Sequence, residues 1–393
     1  KLKSRNMTKL MSIYKDLEFY SLLKKLDTDI IENPRNTNDV TIVKDKLDID
    51  KDFSFYLEVS NDNYHMADFI GLSIYDGEKC YFLDEEAVIL NKDIFTHAVS
   101  TYDLKKSMCF LSKYGIVLNN CKYDTMISVY LLNYNTKEDI SYIANSLGYD
   151  IPFYDSIIKD NNLVVDESTL INTLASKAKF IYEIKDRMLD ELVKEEELSL
   201  FENIEMPLAL VLADMELTGV KVDGEYLDSV AAKLKSDMDK LTEEIYNDAG
   251  CEFNIMSPKQ LSEVLFEKLA IKYPKRVKNN KYSTSKDILD KIIDVHPIVG
   301  RILDYRTLAK LYTNYAVGLK NEIREDGRIH TIFTQTLTRT GRLSSISPNL
   351  QNIPASEEYA KLIRSAFIPD DDSIILSSDY SQVELRIFAA MAN

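Results

Sequence analysis

Residues 338–354 read TRTGRLSSISPNLQNIP. Arg339 and Arg342 stand among three serines, two asparagines and a glutamine, with no acidic residue in the stretch. Glycine, proline, serine and asparagine are ordinary turn chemistry, but turn chemistry does not account for two arginines beside a cluster of amides. Such a loop offers donors to phosphate and sugar oxygens and to the acceptors of a minor groove. A second stretch, SSDYSQVELRIFAAMAN, occupies residues 377–393. The apolar run Ile374, Ile375, Leu376 predicts a strand that delivers Asp379 to a turn, where helical apolar spacing begins. Carboxylate and carbonyl oxygens are hard ligands suited to magnesium. Ser381 and Glu384 also fit a Ser-x-x-Glu capping box, which accounts for the same turn without chemistry.

The 393 residues, 45% of them hydrophobic, suffice for two or three cores. No apolar run approaches the length of a membrane span, and the basic N-terminal stretch lacks the apolar region of a signal peptide. Nothing addresses the chain outside the cytosol. Four cysteines (Cys80, Cys109, Cys121, Cys251) lack CxxC spacing and read as free thiols. The net charge of −16 opposes a polyanionic partner on average. Its distribution matters more, because Lys272, Lys275, Arg276, Lys278, Lys281 and Lys286 follow one another with no acid between them. That patch reads equally as a phosphate grip or as a solvated loop.

Residues 1–39 predict a short helical segment and a polar linker, NPRNTND. FSFYLEV, FIGLSIY and KCYFL predict strands, the last two joined through Asp76-Gly77 as a hairpin. Helical patterns follow at 101–113, 122–133 and 137–147, so residues 40–195 form one α/β domain. From residue 200 the chain turns mainly helical. A helix from Asp223 stops at Gly250, Ser257-Pro258 starts another that runs to about Leu269, and a long helix covers 297–323. RIHTIFTQTL is strand-like, and this late sheet looks short of partners.

TGRLSSISPNLQNIP followed by DYSQVELR closely resembles the palm of family A DNA polymerases. The similarity continues upstream in FENIEMPLALVLADMELTGVKVD, FNIMSPKQLSEVLFEKL, STSKDIL and DYRTLAKL, covering roughly 200–393, and more weakly in LEFYSLLKKL at 17–26. The resemblance implies a ribonuclease H-like exonuclease-type α/β domain at 40–195, then a mainly helical thumb and an incomplete α+β palm of a right-hand polymerase. It implies DNA-templated DNA synthesis on primer-template DNA from deoxynucleoside triphosphates, in replication and repair. It further implies a magnesium pair, a monomer, no membrane association, and a place in the bacterial cytoplasm with the nucleoid.

The resemblance also assigns residues. Asp379 matches the first of two palm aspartates that hold the metals, and the Tyr380 carbonyl matches a metal contact. Arg364, Ser381, Gln382 and Glu384 fall on the nucleotide side, Glu384 beneath the incoming sugar. Arg342, Asn349, Gln351 and Asn352 match primer-template contacts, with Arg306 and Lys310 near the DNA. The patch bearing Lys275, Arg276 and Lys278 falls at the thumb tip. The family continues with fingers and a second aspartate, so the sequence reads as a truncated product or fragment. A DNA-binding remnant and a 3′–5′ exonuclease are the alternative functions.

Against the exonuclease stands its carboxylate pattern. The family's Asp-x-Glu appears as Tyr56-Leu57-Glu58, its second aspartate as Ser107, and its Tyr-x-x-x-Asp as Thr173 and Lys177. A divalent pair needs converging carboxylates, and a lysine repels it. No nearby acid is expected to restore the cluster, so the domain reads as a scaffold without activity.

Overall fold

The computed structural model describes residues 14, 38–134, 139–154, 157–159, 163–164, 166–274, 282–353 and 358–392. The helical segment and linker expected before residue 38, including 17–26, therefore lie outside the described residues, as do Lys275, Arg276 and Lys278. Packing divides the chain into two units. One takes in the chain up to Thr218 with Thr331–Ser347, the other Gly219–His330 with Pro348–Asn393. The 195–200 boundary drawn from sequence falls inside the first of these units, and the strands after His330 pack with it as well.

The first unit is built on a six-stranded sheet. Its strands are β1 (Val40–Ile42), β2 (Phe53–Val59), β3 (Phe69–Tyr75), β4 (Cys80–Leu83), β5 (Val99–Thr101) and β6 (Cys121–Asp124), in the order β1-β4-β3-β2-β5-β6. β2 pairs antiparallel with β3, and β3 with β4, through the expected hairpin. Asp76 closes that turn by accepting from Glu78 N–H at 2.9 Å and Lys79 N–H at 2.8 Å. β1 lies parallel to β4, and β5 parallel to both β2 and β6. All seven residues of β2 are buried, as suits a strand covered on both faces. The register shifts between Glu58 and Val59; such irregularities redirect side chains at functional sites.

Helices α1 (Glu85–Leu90), α2 (Leu104–Leu111), α3 (Thr125–Leu131), α4 (Ser141–Ser146), α5 (Glu167–Lys194) and α6 (Met206–Thr218) complete the unit. The helix expected over 122–133 is shorter, because its first residues continue β6 and Asp124 caps α3 by accepting from Met126 N–H at 2.7 Å. Asp166 caps α5, whose Leu170, Leu174, Ala178 and Ile181 recur at helical spacing and press on β2 and β3. Lys177 lies on that same buried face. Two short strands, β7 (Ile158–Lys159) and β8 (Leu163–Val164), pair beside it in the sequence.

In the second unit β9 (Val220–Lys221) pairs antiparallel with β10 (Arg328–Ile329). Gly219, at φ 63°, precedes β9; a Cβ there would meet the His330 imidazole at 2.8 Å, so both backbone and space require glycine. Helix α7 (Gly224–Ala249) begins on the Asp223 cap and ends at the left-handed Gly250, φ 62°, as its sequence predicts. α8 (Pro258–Ser262) starts on the Ser257 cap and continues in wider turns to Lys268. α9 (Pro297–Lys310) likewise widens over Leu311–Val317. Leu227, Val230 and Leu234 of α7 form one core with Leu308, Leu311 and Leu319.

RIHTIFTQTL does not form a single strand. It breaks after β10 and resumes as β11 (Ile332–Thr334), which pairs antiparallel with β12 (Ser344–Ile346) in the first unit. The second unit closes with α10 (Glu358–Arg364) and α11 (Val383–Ala392). The strand expected at 374–376 joins no ladder among the described residues, and Ile374 and Leu376 are 85% and 84% exposed. A strand without a partner has no ladder hydrogen bonds to hold it.

Candidate functional site

β2 and α5 bring three of the four residues singled out in the exonuclease-type domain together. The Lys177 ammonium is fully buried, 3.2 Å from Glu58 Oε2 and 3.4 Å from the Tyr56 hydroxyl. It also lies 3.2 Å from Asp139 Oδ1. Asp139 corrects the expectation that no further acid would enter the cluster. The residue sits just before α4, where its other bonds, from Ser141 N–H at 2.9 Å and Tyr154 N–H at 2.8 Å, fix the carboxylate toward Lys177. Ser107, the fourth residue, gives its hydroxyl to the Asp103 carbonyl at 3.0 Å, inside the first turn of α2.

The electrostatics of this cluster are self-contained. Burial alone would lower the Lys177 pKa, but the Asp139 and Glu58 carboxylates outweigh it and hold the ammonium above its ordinary value. Burial opposes the charge on Asp139, and Lys177 with the two backbone donors overcomes it, keeping that carboxyl below the usual range. Burial and the two carboxylates push the Tyr56 phenol well up. One cation between two anions leaves neither the charge nor the space for a divalent pair. The donor set does not fit catalytic metals.

A second buried network lies in the same unit. Glu216 of α6 has no exposed surface. Its Oε1 accepts from Phe333 N–H at 2.7 Å and lies 2.8 Å from Lys105 Nζ. Its Oε2 accepts from the Tyr64 hydroxyl at 2.6 Å and the Cys109 thiol at 3.5 Å, with His65 Nε2 at 3.3 Å. His65, Cys109 and Glu216 converge as metal ligands would. Yet burial and Glu216 hold the Cys109 thiol protonated, and Lys105 already neutralises the carboxylate. This group too is a closed ion network rather than a metal site. Sequence reading missed it; a glutamate inside the apolar run of α6 was the available signal.

In the second unit three of the expected DNA-contacting residues converge. Lys310, Asn349 and Asn352 line an open cleft of about 530 Å³ with Asn314, Tyr315, Leu319 and Pro348. Asn349 Oδ1 accepts from Gln351 N–H at 3.0 Å and Asn352 N–H at 3.1 Å, which folds NLQN into a tight turn. The Tyr315 hydroxyl donates to the Asn352 carbonyl and ties that turn to the helix. Arg306 is placed differently from its neighbours. Its half-buried guanidinium donates to the Thr284 carbonyl and, at 3.3 Å, to the Thr284 hydroxyl, so its donors are turned into the fold. Arg342 and Arg339 are exposed on the loop between β11 and β12, in the first unit.

Asp379 and Tyr380 are exposed, and Arg364 is exposed at the end of α10. Ser381 does not stand directly before the helix as the capping box expects, because Gln382 has φ 54° and α11 starts only at Val383. Ser381 instead accepts at its carbonyl from Arg386 Nε at 2.9 Å. The Asp379 carboxylate and Tyr380 carbonyl are hard oxygens that fit magnesium. Among the described residues no group of three ionisable ligands includes Asp379.

An α/β sheet domain with a buried Lys177–Glu58–Asp139 ion group, followed by a mainly helical region, is the architecture of a family A polymerase chain. Residues 224–393 match the family model for DNA polymerase family A, and residues 55–184 match that for the DNA polymerase I ribonuclease H-like domain; the chain belongs to DNA polymerase family A. It is 38% identical to DNA polymerase I of Lactococcus lactis subsp. cremoris over 402 residues, covering 99% of this chain and 45% of that protein. It is 37% identical to DNA polymerase I of Bacillus subtilis, covering 98% of this chain and 46% of the relative. The chain thus spans about half the length of the curated relatives it matches. A solved structure, the POL domain of Pol1 from M. smegmatis in complex with DNA primer-template and dNTP, superposes with a TM-score of 0.70 at 27% identity, over 86% of this chain and 58% of that one. Among the described residues no helix is long and apolar enough to cross a membrane.

Proposed function

We propose that this chain supplies the exonuclease-like, thumb and first palm portions of an enzyme that extends a DNA primer on a template from deoxynucleoside triphosphates. The observation that carries the reading is the joint presence of the 340–354 loop and the 379–386 turn in a chain whose helical region matches the family. In this reading Asp379 and the Tyr380 carbonyl would hold magnesium, which would supply charge neutralisation for nucleotidyl transfer. Glu384 excludes a 2′-hydroxyl from the sugar position, while Arg364, Ser381 and Gln382 face the nucleotide. Lys310, Asn349, Gln351, Asn352 and Arg342 receive the duplex, aided by the basic segment around Lys275, Arg276 and Lys278. The enzyme acts as a monomer. The domain bearing Tyr56, Glu58, Ser107 and Lys177 contributes no nuclease.

Primer extension by the full-length gene product tests the reading. Asp379→Asn preserves size and hydrogen-bonding capacity but removes the charge that holds metals, so single-turnover extension should fall by several orders of magnitude, roughly the loss of a metal's charge stabilisation. Near-normal extension by that variant would overturn the role of Asp379, and no template-directed extension by the unaltered protein would overturn the function.

A further inference from the structure

The network around Glu216 has a task that the ion pairs by themselves do not explain. The β11–β12 hairpin is small, with three paired residues on each strand, and a two-stranded ribbon of that size is not stable alone in water. Its loop, residues 335–343, carries Arg339 and Arg342. Four attachments hold the hairpin to the ribonuclease H-like unit at successive points along the chain. Ile332 is buried in the unit's core. The Phe333 N–H goes to Glu216 Oε1 at 2.7 Å. Gln335 Nε2 donates to the Glu205 carbonyl at 2.9 Å, and the Tyr130 hydroxyl donates to the Thr338 carbonyl at 2.7 Å. The last two contacts lie in the loop itself.

Glu216 is the centre of this arrangement. One carboxylate joins the turn bearing Tyr64 and His65, helix α2 through Lys105 and Cys109, and the backbone of β11. A carboxylate held by five groups from three segments has one orientation available, and a hydrogen bond from it fixes the amide it accepts from. We propose that Glu216 is a positioning residue for nucleic-acid binding: it sets β11, and the ribonuclease H-like domain, closed to metal at Lys177, serves as the mount for the arginine-bearing loop. The inference rests on the DNA-binding reading above.

Two double variants of the full-length gene product separate the hydrogen bond from the ion pair. Lys105→Met with Glu216→Gln removes both charges and keeps an acceptor oxygen for Phe333. Lys105→Met with Glu216→Leu removes the charges and the acceptor. Fluorescence anisotropy with a labelled primer-template duplex should give the Leu pair about a tenfold weaker dissociation constant and leave the Gln pair within about twofold of the unaltered protein. Hydrogen exchange should show residues 331–347 opening in the Leu pair alone. Should the Leu pair fail to fold, Tyr130→Phe removes the hydroxyl that bonds the Thr338 carbonyl and faces the Gly341 backbone in the loop, and should weaken binding about threefold. Ile143→Ala, a core truncation elsewhere in the domain, should lower the melting temperature and leave DNA affinity unchanged. Equal affinities for the two double variants, an unchanged Tyr130→Phe, or an Ile143→Ala loss matching the Leu pair would each overturn the proposal. Absence of duplex binding by the unaltered protein would instead refute the DNA reading, and the exchange measurement would still decide whether Glu216 mounts the hairpin.

Discussion

The Lys177 ammonium and the Glu58 carboxylate, from a helix and a strand 119 positions apart in sequence, meet at 3.2 Å with almost no solvent between them. Asp139 completes the group from the other side. Lys177 is thus the cation that balances both buried carboxylates. Buried ions of this kind are held by mutual satisfaction, and removing one member is costlier than removing all.

Lys177→Met should accordingly destabilise the protein by about 3–5 kcal/mol, since Glu58 and Asp139 are left buried without a cation. The triple variant Lys177→Met, Glu58→Gln, Asp139→Asn should recover most of that loss. Urea unfolding of the two proteins reads the difference. A triple variant no more stable than the single one would show that the triad is not a unit.

The domain should degrade no 3′ end. End-labelled single-stranded DNA incubated with magnesium or manganese should release no mononucleotides above the level of a Glu58→Ala control. Release that vanishes in Glu58→Ala would mean that metal enters despite Lys177.

Asp124 predicts a pH dependence. Burial and the neighbouring Asp103 push this carboxyl from 3.8 up to about 7, against the pull of the N–H groups of Leu104, Met126 and Asp103. A folded-state pKa above the unfolded value means that the folded state holds its proton longer, so this contribution is full below pH 3.8 and is lost as pH rises through about 7. Asp124→Asn cannot titrate. Its stability should gain on that of the unaltered protein between those limits and run parallel above pH 7. Parallel curves throughout would place the Asp124 carboxylate ionised at all these pH values.

Lys310 and Arg306 should separate in their salt dependence. Lys310 lines the open cleft, so Lys310→Ala should weaken primer-template binding and reduce the log–log salt slope by about one. Arg306 is spent on Thr284, and Arg306→Ala should lower the melting temperature while leaving the slope unchanged. A slope reduced by both changes would return Arg306 to the phosphate contacts.

Local chemistry was legible in the sequence wherever it acts through neighbours along the chain. The Asp76-Gly77 turn, the Ser257 and Asp223 starts, the Gly250 stop and the β2 strand follow from periodicity, caps and turn residues. So did the family, because its motifs are contiguous runs. Three-dimensional proximity decided the rest. Lys177 sits between Leu174 and Ile181 on an apolar helical face, which announces a buried cation needing anions, but nothing in the string says that Asp139 would answer it. The break between β10 and β11 and the left-handed Gln382 likewise depend on packing and backbone geometry rather than propensity. Spacing along a chain determines which face a residue takes on its own element. Which charge it meets across the core is set only when the elements pack, because burial makes an unpaired ion too costly to keep.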